Sequence, residues 1–294
     1  MIFDKISIGT AQFGNDYGIT NQSGKVQKTE VFEILSSAKK NNIVSIDTAM
    51  NYGESEAILG EYGIESFEIT TKLPAIKRSD QADVEVKKSV NRSLERLSLD
   101  KLPCLLLHST EQLFHDSGNT IWNALVDLKS EGKISRIGYS IYDPKELDLL
   151  FHRYKPDAIQ VPVNIFDQRL LKNGWAKKLK HNNVEIQARS VFLQGILLLE
   201  AHDRPEEFTK WKDLWDEWDN KVAQSKSSRL KICLDFVLKC SYLDKIILGL
   251  DSLSHLNEIL LELKNPSVSD IHMDVNDEKL LNPLEWQYYE FLKK

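Results

Sequence analysis

Short apolar runs alternate with amphipathic stretches along the whole chain. Runs of four to seven apolar or β-branched residues predict strands at 6–9, 44–47, 67–72, 105–108, 134–140, 158–163, 184–188 and 245–248. Between them, apolar residues recur at helical spacing, as in "EVFEILSSAKK" from Glu30 to Lys40 and "VEVKKSVNRSLERL" from Val84 to Leu97. The same spacing predicts further helices over 54–62, 121–131, 144–151, 169–180, 229–238 and 254–263. Each strand is thus followed by a helix. That alternation implies parallel strands with covering helices. Eight such units predict a closed (β/α)8 TIM barrel, an α/β fold, in a single domain over 1–294 with a C-terminal helical extension. An open doubly wound sheet would need a glycine-rich phosphate turn, and neither GxGxxG nor GxxxxGK[ST] occurs. The segment from Leu197 to Lys226, after the seventh strand, is too long for an ordinary loop and carries Trp211, Trp215 and Trp218. It is expected to contain its own helix, as a substrate-facing loop or as one that the tryptophans anchor to the barrel.

Bulk numbers narrow the partners more than the fold. The 294 residues carry a formal net charge of -6, with 28% charged and 41% hydrophobic residues. No basic patch dominates, which argues against a nucleic-acid partner. The three cysteines, Cys104, Cys233 and Cys240, lack paired metal-ligand spacing and suit a reducing cytoplasmic setting. The opening "MIFDKISIGTAQFG" does not read as a signal peptide, and the apolar runs are too short to span a bilayer.

The candidate chemistry lies at strand ends. In a barrel of this kind the active site forms at the carboxyl ends of the strands. Asp47 ends the second strand, Lys72 the third, His108 the fourth and Ser140 the fifth. Gln160 lies in the sixth, and Ser190 follows the seventh. Tyr52 sits just past Asp47 in "VSIDTAMNYGESE". Taken alone, Asp47 and Thr48 could simply cap a helix. A buried lysine and histidine are costly unless paired, however, and Asp47 on the neighbouring strand could neutralise Lys72.

In order, "DTAMNYG", "TTKL", "LLLHS", "IGYS" and "IQVPVN" resemble the aldo-keto reductase family. The opening "SIGTAQFG" resembles its first strand, and "IILGLDSLSHLNEIL" its last strand and dinucleotide-binding helix. The resemblance implies NAD(P)H-dependent reduction of a small-molecule carbonyl, with Asp47, Tyr52, Lys72 and His108 as the catalytic tetrad. Carbonyl reduction by hydride needs a proton on the oxygen, and an unperturbed phenol is a reluctant donor. Lys72 is expected to lower the Tyr52 pKa, Asp47 to hold Lys72, and His108 to hydrogen-bond and orient the carbonyl oxygen or help relay the proton. No metal is needed.

The resemblance further implies cofactor contacts. Thr10 belongs to the first-strand motif, Ser140 and Gln160 match carboxamide contacts, and Ser190 and Leu193 match a pyrophosphate-side loop. Gly249, Ser252, His255 and Glu258 match the adenosine region. Three positions depart from the family pattern. Ile141 follows Ser140 where an asparagine is frequent, so Asn164 is a candidate replacement. Arg189 stands where an aromatic residue usually stacks on the nicotinamide. No lysine or arginine occupies the expected 2′-phosphate clamp, where Gly249, Asp251 and His255 stand and Ile259 replaces a common asparagine. NADP(H) is the family expectation, with NAD(H) as the alternative. Candidate substrate-lining residues are Phe13, Asn15, Tyr17, Tyr142, Phe166 and the tryptophan-rich loop, and a sugar carbonyl is one candidate substrate. A nucleotide-sensing barrel with little turnover is the alternative function, and the oligomeric state is left open.

Overall fold

In the computed structural model, which describes residues 2–21, 23–76, 79–266, 271–273 and 275–286, eight parallel strands close into one barrel in chain order. They are β1 (Ile6–Gly9), β2 (Ser45–Asp47), β3 (Glu68–Leu73), β4 (Leu102–Leu107), β5 (Ile134–Ser140), β6 (Ala158–Pro162), β7 (Glu185–Arg189) and β8 (Lys245–Gly249). Closure comes from β1 against β8, with Ile6 opposite Ile246 and Gly9 opposite Gly249. Gly9 also faces Asp47 across β2, which sets the carboxyl ends of β8, β1 and β2 level with one another. The strands are buried on both faces, outward against helices and inward against one another.

Helices such as Lys28–Lys40, Ala82–Leu97 and Gly118–Ser130 turn their apolar stripe onto the barrel wall. In Ala82–Leu97 that stripe is Val86, Val90, Leu94 and Leu97, spaced four, four and three apart. The helix expected over 169–180 is instead two pieces, Arg169–Lys172 and Trp175–His181. Gly174 between them takes a left-handed φ of 84°, which a continuous helix cannot contain. The amino ends of the strands are closed by charge. Arg136 bridges Glu68 and Glu185, and Lys245 pairs with Glu68 at 2.8 Å.

The long segment after β7 does contain a helix, Lys212–Ser225. Trp215 and Trp218 point inward, with Phe166, Phe208 and Trp286, into a second apolar cluster beside the barrel core. Their indole N–H groups donate to Phe208 O (3.1 Å) and Leu197 O (3.3 Å). These two tryptophans therefore anchor the segment. Phe13 and Phe166 are also fully buried, which removes them from the substrate-lining set. Toward the C-terminus the described residues form short turns at Glu278–Leu281 and Pro283–Glu285, and the rest of the expected helical extension, 287–294, lies outside the described residues. Among the described residues no helix is long and apolar enough to cross a membrane.

Candidate active site

The chain leaving β2 stays hydrogen-bonded to β3. Thr48 N donates to Thr70 O (2.8 Å) and Met50 N to Lys72 O (3.0 Å). The next turn is closed by Tyr52 N on Ala49 O (3.0 Å). Gly53 then takes φ 51°, and a Cβ there would lie 2.2 Å from Gly14 O. A Cβ on Gly14 would in turn lie 1.8 Å from Tyr52 O. Two glycines therefore let the loops after β1 and β2 meet backbone to backbone, which fixes where Tyr52 stands.

Lys72 Nζ donates to Asp47 Oδ2 at 2.6 Å and to Thr48 O at 3.0 Å. Both charged side chains are almost fully buried. Such a pair persists because each charge satisfies the other, and losing one partner would strand the second. Burial pulls the Lys72 pKa down, with Asp47 pulling it back up. Gln160 Nε2 completes the Asp47 carboxylate at 2.7 Å and reaches Gln187 Oε1 at 3.1 Å, while Gln187 Nε2 holds Thr70 Oγ1 at 3.1 Å. A polar chain thus runs through the barrel interior below the strand ends.

Lys72 Nζ lies 5.1 Å from the Tyr52 ring centroid, and the Tyr52 and His108 rings meet edge-on with centroids 5.7 Å apart. The four residues expected to cluster do so. The electrostatics differ from expectation. Tyr52 keeps part of its surface open, yet protein crowds the phenol, and that burial, reinforced by negative Asp47, raises its pKa well above the tyrosine range. The expected lowering by Lys72 is not found; Arg189 is the cation that pulls the value down, and burial and Asp47 outweigh it. His108 is pushed down to about 3 by burial, then by Lys72 and Arg189, so its ring is neutral.

The residues matched to cofactor contacts divide. Ser140 is buried at the end of β5, and Gly249 is open at the end of β8. Arg189 stacks on Tyr142, 4.1 Å from the ring centroid, and donates to Ile141 O (3.0 Å) and Ser190 Oγ (3.2 Å). Thr10 does not face outward. Its buried hydroxyl donates to Asp47 O (3.0 Å) and accepts from Ser55 (2.8 Å), so it ties β1 to β2. The Leu193 side chain is in the second apolar cluster and its N–H is spent on Ser190 O (2.9 Å), which leaves it shaping the loop. Asn164 donates from Nδ2 to Ser190 O and accepts at Oδ1 from Phe166 N and Asp167 N, which spends its oxygen on the turn. Ser252 caps the helix Leu253–Lys264 by accepting from His255 N (3.2 Å), and exposed Glu258 accepts from Ser254 at 3.3 Å. Ile259 faces the core.

Two features were not singled out in the sequence. Gln12 Oε1 is buried with no hydrogen-bond partner among the described residues, and the Gln12 amide nitrogen lies 3.3 Å from where a Gly249 Cβ would be. Glu30 Oε1 accepts from Leu253 N at 2.9 Å, at the first turn of the last helix. Ser190, Leu193 and Gln194 carry left-handed φ of 56°, 46° and 57°, followed by Gly195 at 92°, a strained loop of the kind found at ligand sites. The orphaned Gln12 oxygen, the bare Gly249 backbone and this coiled loop lie at the carboxyl ends of β1, β8 and β7. Among the described residues no group of three or more His, Cys, Asp or Glu could hold a metal ion.

Comparison with known proteins agrees with the barrel fold. A family model described as the Aldo/keto reductase family matches residues 5–278. Glyoxal reductase of Bacillus subtilis is 32% identical over 176 residues, which cover 58% of this chain and 60% of that protein. The NADH-specific methylglyoxal reductase of Escherichia coli is 24% identical over 90% of this chain and 91% of its own. L-galactose dehydrogenase of Arabidopsis thaliana is 28% identical over 80% of this chain and 78% of its own. Among solved structures, the holo form of an aldo-keto reductase from Bacillus halodurans superposes with a TM-score of 0.71 at 18% identity, covering 90% of this chain and 88% of that one.

Proposed function

We propose, from the premise that this chain belongs to the aldo/keto reductase family, that it is an NAD(P)H-dependent carbonyl reductase in which Tyr52 protonates the substrate oxygen. The observation that carries this reading is the convergence of Asp47, Lys72, Tyr52 and His108 at the carboxyl ends of β2, β3 and β4. The nicotinamide cofactor, when bound, supplies hydride. Tyr52 holds the proton, since its raised pKa keeps the phenol intact at neutral pH. Two of the three Lys72 N–H donors are used by Asp47 and Thr48, and the third is left to stabilise the phenolate as the proton departs. Gln160 and Asp47 hold Lys72 against that task. Gln12, Ser140, Arg189, the Ser190 loop and Gly249 are the residues that would hold the dinucleotide.

The substrate is a small aldehyde or ketone bearing a second oxygen. The relatives named for glyoxal, methylglyoxal and L-galactose support that class. A turnover screen of glyoxal, methylglyoxal and aldoses with NADH and NADPH in parallel tests the reading. Cofactor binding with no carbonyl reduced would overturn it in favour of a nucleotide-sensing barrel.

Two predictions arise here. The first concerns pH. A His108 titration would fall near 3 and the Tyr52 titration above the ordinary tyrosine range. The rate of reduction, as kcat/KM, is therefore expected to show no break from either group between about pH 5 and about pH 9. A break near pH 7 that disappears in His108→Gln would contradict this assignment. The second concerns cofactor choice. Where the resemblance puts the 2′-phosphate, Glu30 already occupies Leu253 N, and Asp251 lies 3.8 Å from exposed His255. A dianionic phosphate meets two carboxylates and one imidazole there. Losing a charge-assisted contact is worth about 10- to 150-fold. Dissociation constants for NADPH and NADH are expected to differ by less than about 100-fold. Glu30→Gln should tighten NADPH and leave NADH nearly unchanged, as read by fluorescence titration. An NADPH preference above about 1,000-fold would mean a basic residue reaches the site from elsewhere.

A further inference from the structure

We propose that Arg189 makes this site bind the reduced nicotinamide cofactor more tightly than the oxidised one, by holding an unneutralised positive charge at the barrel mouth. Gln187 faces the barrel interior, where its amide meets Thr70 Oγ1 and the Gln160 amide at 3.1 Å each. Side chains two residues apart on a strand share a face. Arg189 therefore projects inward as well, one layer nearer the carboxyl end of β7. Three contacts fix its guanidinium there. It stacks on Tyr142, 4.1 Å from the ring centroid, and donates to Ile141 O at 3.0 Å and to Ser190 Oγ at 3.2 Å.

None of these partners is an anion. Every other partly buried arginine among the described residues, namely Arg96, Arg136, Arg169, Arg204 and Arg229, pairs with a carboxylate. The carboxylates at this end of the barrel have other partners. Asp47 holds Lys72 and Gln160, Asp167 holds Arg169, and Glu146 accepts from Tyr142 N, Asp143 N and the Thr110 hydroxyl. Lys72 and Asp47 cancel, and His108 and Tyr52 are neutral, so the Arg189 charge stands uncompensated. It acts on Tyr52, Lys72 and His108 alike, which puts it within electrostatic reach of the reacting oxygen. In the reduction, the carbonyl carbon gains hydride, its oxygen takes the Tyr52 proton, and the nicotinamide ring goes from neutral to singly positive. Hydride passes only between atoms in contact, so that ring lies beside the carbonyl and Tyr52. Arg189 then repels the oxidised ring and is indifferent to the reduced one. Spent cofactor leaves readily, and the site reloads with the reduced form when both are present.

This inference rests on the carbonyl-reductase reading, but its test reads binding and needs no turnover. Isothermal titration calorimetry of the full-length protein compares NADH, NAD+ and ADP-ribose, which keeps the pyrophosphate and lacks the ring. Wild type should bind NADH at least about tenfold more tightly than NAD+, the size of a like-charge repulsion in a partly solvated site. Arg189→Gln keeps a polar side chain and removes the charge. It should strengthen NAD+ relative to NADH about tenfold and leave ADP-ribose within about twofold of wild type. Equal affinity for the two forms in wild type, or an unchanged ratio in Arg189→Gln, overturns the proposal. So does an equal loss of all three ligands, which would assign the guanidinium to the phosphates. Binding of none of the three by wild type would overturn the carbonyl-reductase reading, and this proposal with it.

Discussion

Tyr52→Phe is expected to lower kcat by at least about 100-fold, the lower end for a lost general acid, while cofactor affinity stays near wild type. The substitution keeps the ring, the edge contact with His108 and the turn built on Gly14 and Gly53. It removes only the donor. The sign of the pKa shift matters for how the loss reads out. A raised phenol pKa makes the proton fully present at neutral pH but harder to release, so its transfer depends on stabilising the phenolate as it forms. Lys72 stands 5.1 Å from the Tyr52 ring centroid, and Asp47 at 2.6 Å keeps it in place. The drop should therefore appear in kcat and in kcat/KM alike, the pattern of an interaction made only in the transition state. Steady-state kinetics of Tyr52→Phe, beside a fluorescence titration with NADH, measures both. Undiminished turnover would remove Tyr52 from the chemistry.

A second large effect is expected on stability rather than rate. Glu56 begins the helix Ser55–Tyr62 just beyond Tyr52 and is buried. Its Oε1 accepts from Thr71 Oγ1 at 2.7 Å and Ser93 Oγ at 2.6 Å, and its Oε2 accepts from Arg96 Nε at 2.8 Å. One carboxylate thus joins β3, the helix Ala82–Leu97 and the helix that supports the Tyr52 turn. Glu56→Ala leaves two buried hydroxyls short of an acceptor, whereas Arg96, which is partly exposed, can turn to water. The expected cost is about 2–4 kcal/mol. Urea unfolding followed by circular dichroism should show a lower midpoint at an unchanged slope. A shift below about 0.5 kcal/mol, the scale of surface substitutions, would show that the three donors find other partners.

The barrel was readable because parallel strands buried on both faces are unbroken apolar runs, and β5 falls where its run Ile134–Ser140 does. The tetrad was readable for the same reason: Asp47, Lys72 and His108 interrupt or end those runs. What stayed hidden depends on partners far along the chain. The Thr10 hydroxyl looks available in sequence until Ser55, 45 residues on, is found against it. Glu30 reads as an ordinary first-turn acid until Leu253 N, 223 residues away, proves to be what it caps. Gln12 gave no signal beyond its place two residues after Thr10. The pKa of Tyr52 could not be signed from residue types, since Arg189 and Asp47 pull in opposite directions and burial decides. Gly174 was the one local cue that could have split the helix expected over 169–180.

The second apolar cluster has a spectroscopic consequence. Trp215, Trp218 and Trp286 lie inside it, and Trp211 packs on its edge. Only Trp122 and Trp175, of the six tryptophans in the chain, pack with the barrel core. Intrinsic fluorescence is therefore dominated by the flank after β7, next to the Ser190 loop, while far-ultraviolet dichroism reports on the whole barrel. If the flank opens before the barrel does, the two signals separate during unfolding, and hydrogen exchange in Lys212–Ser225 outpaces that in β3 and β4.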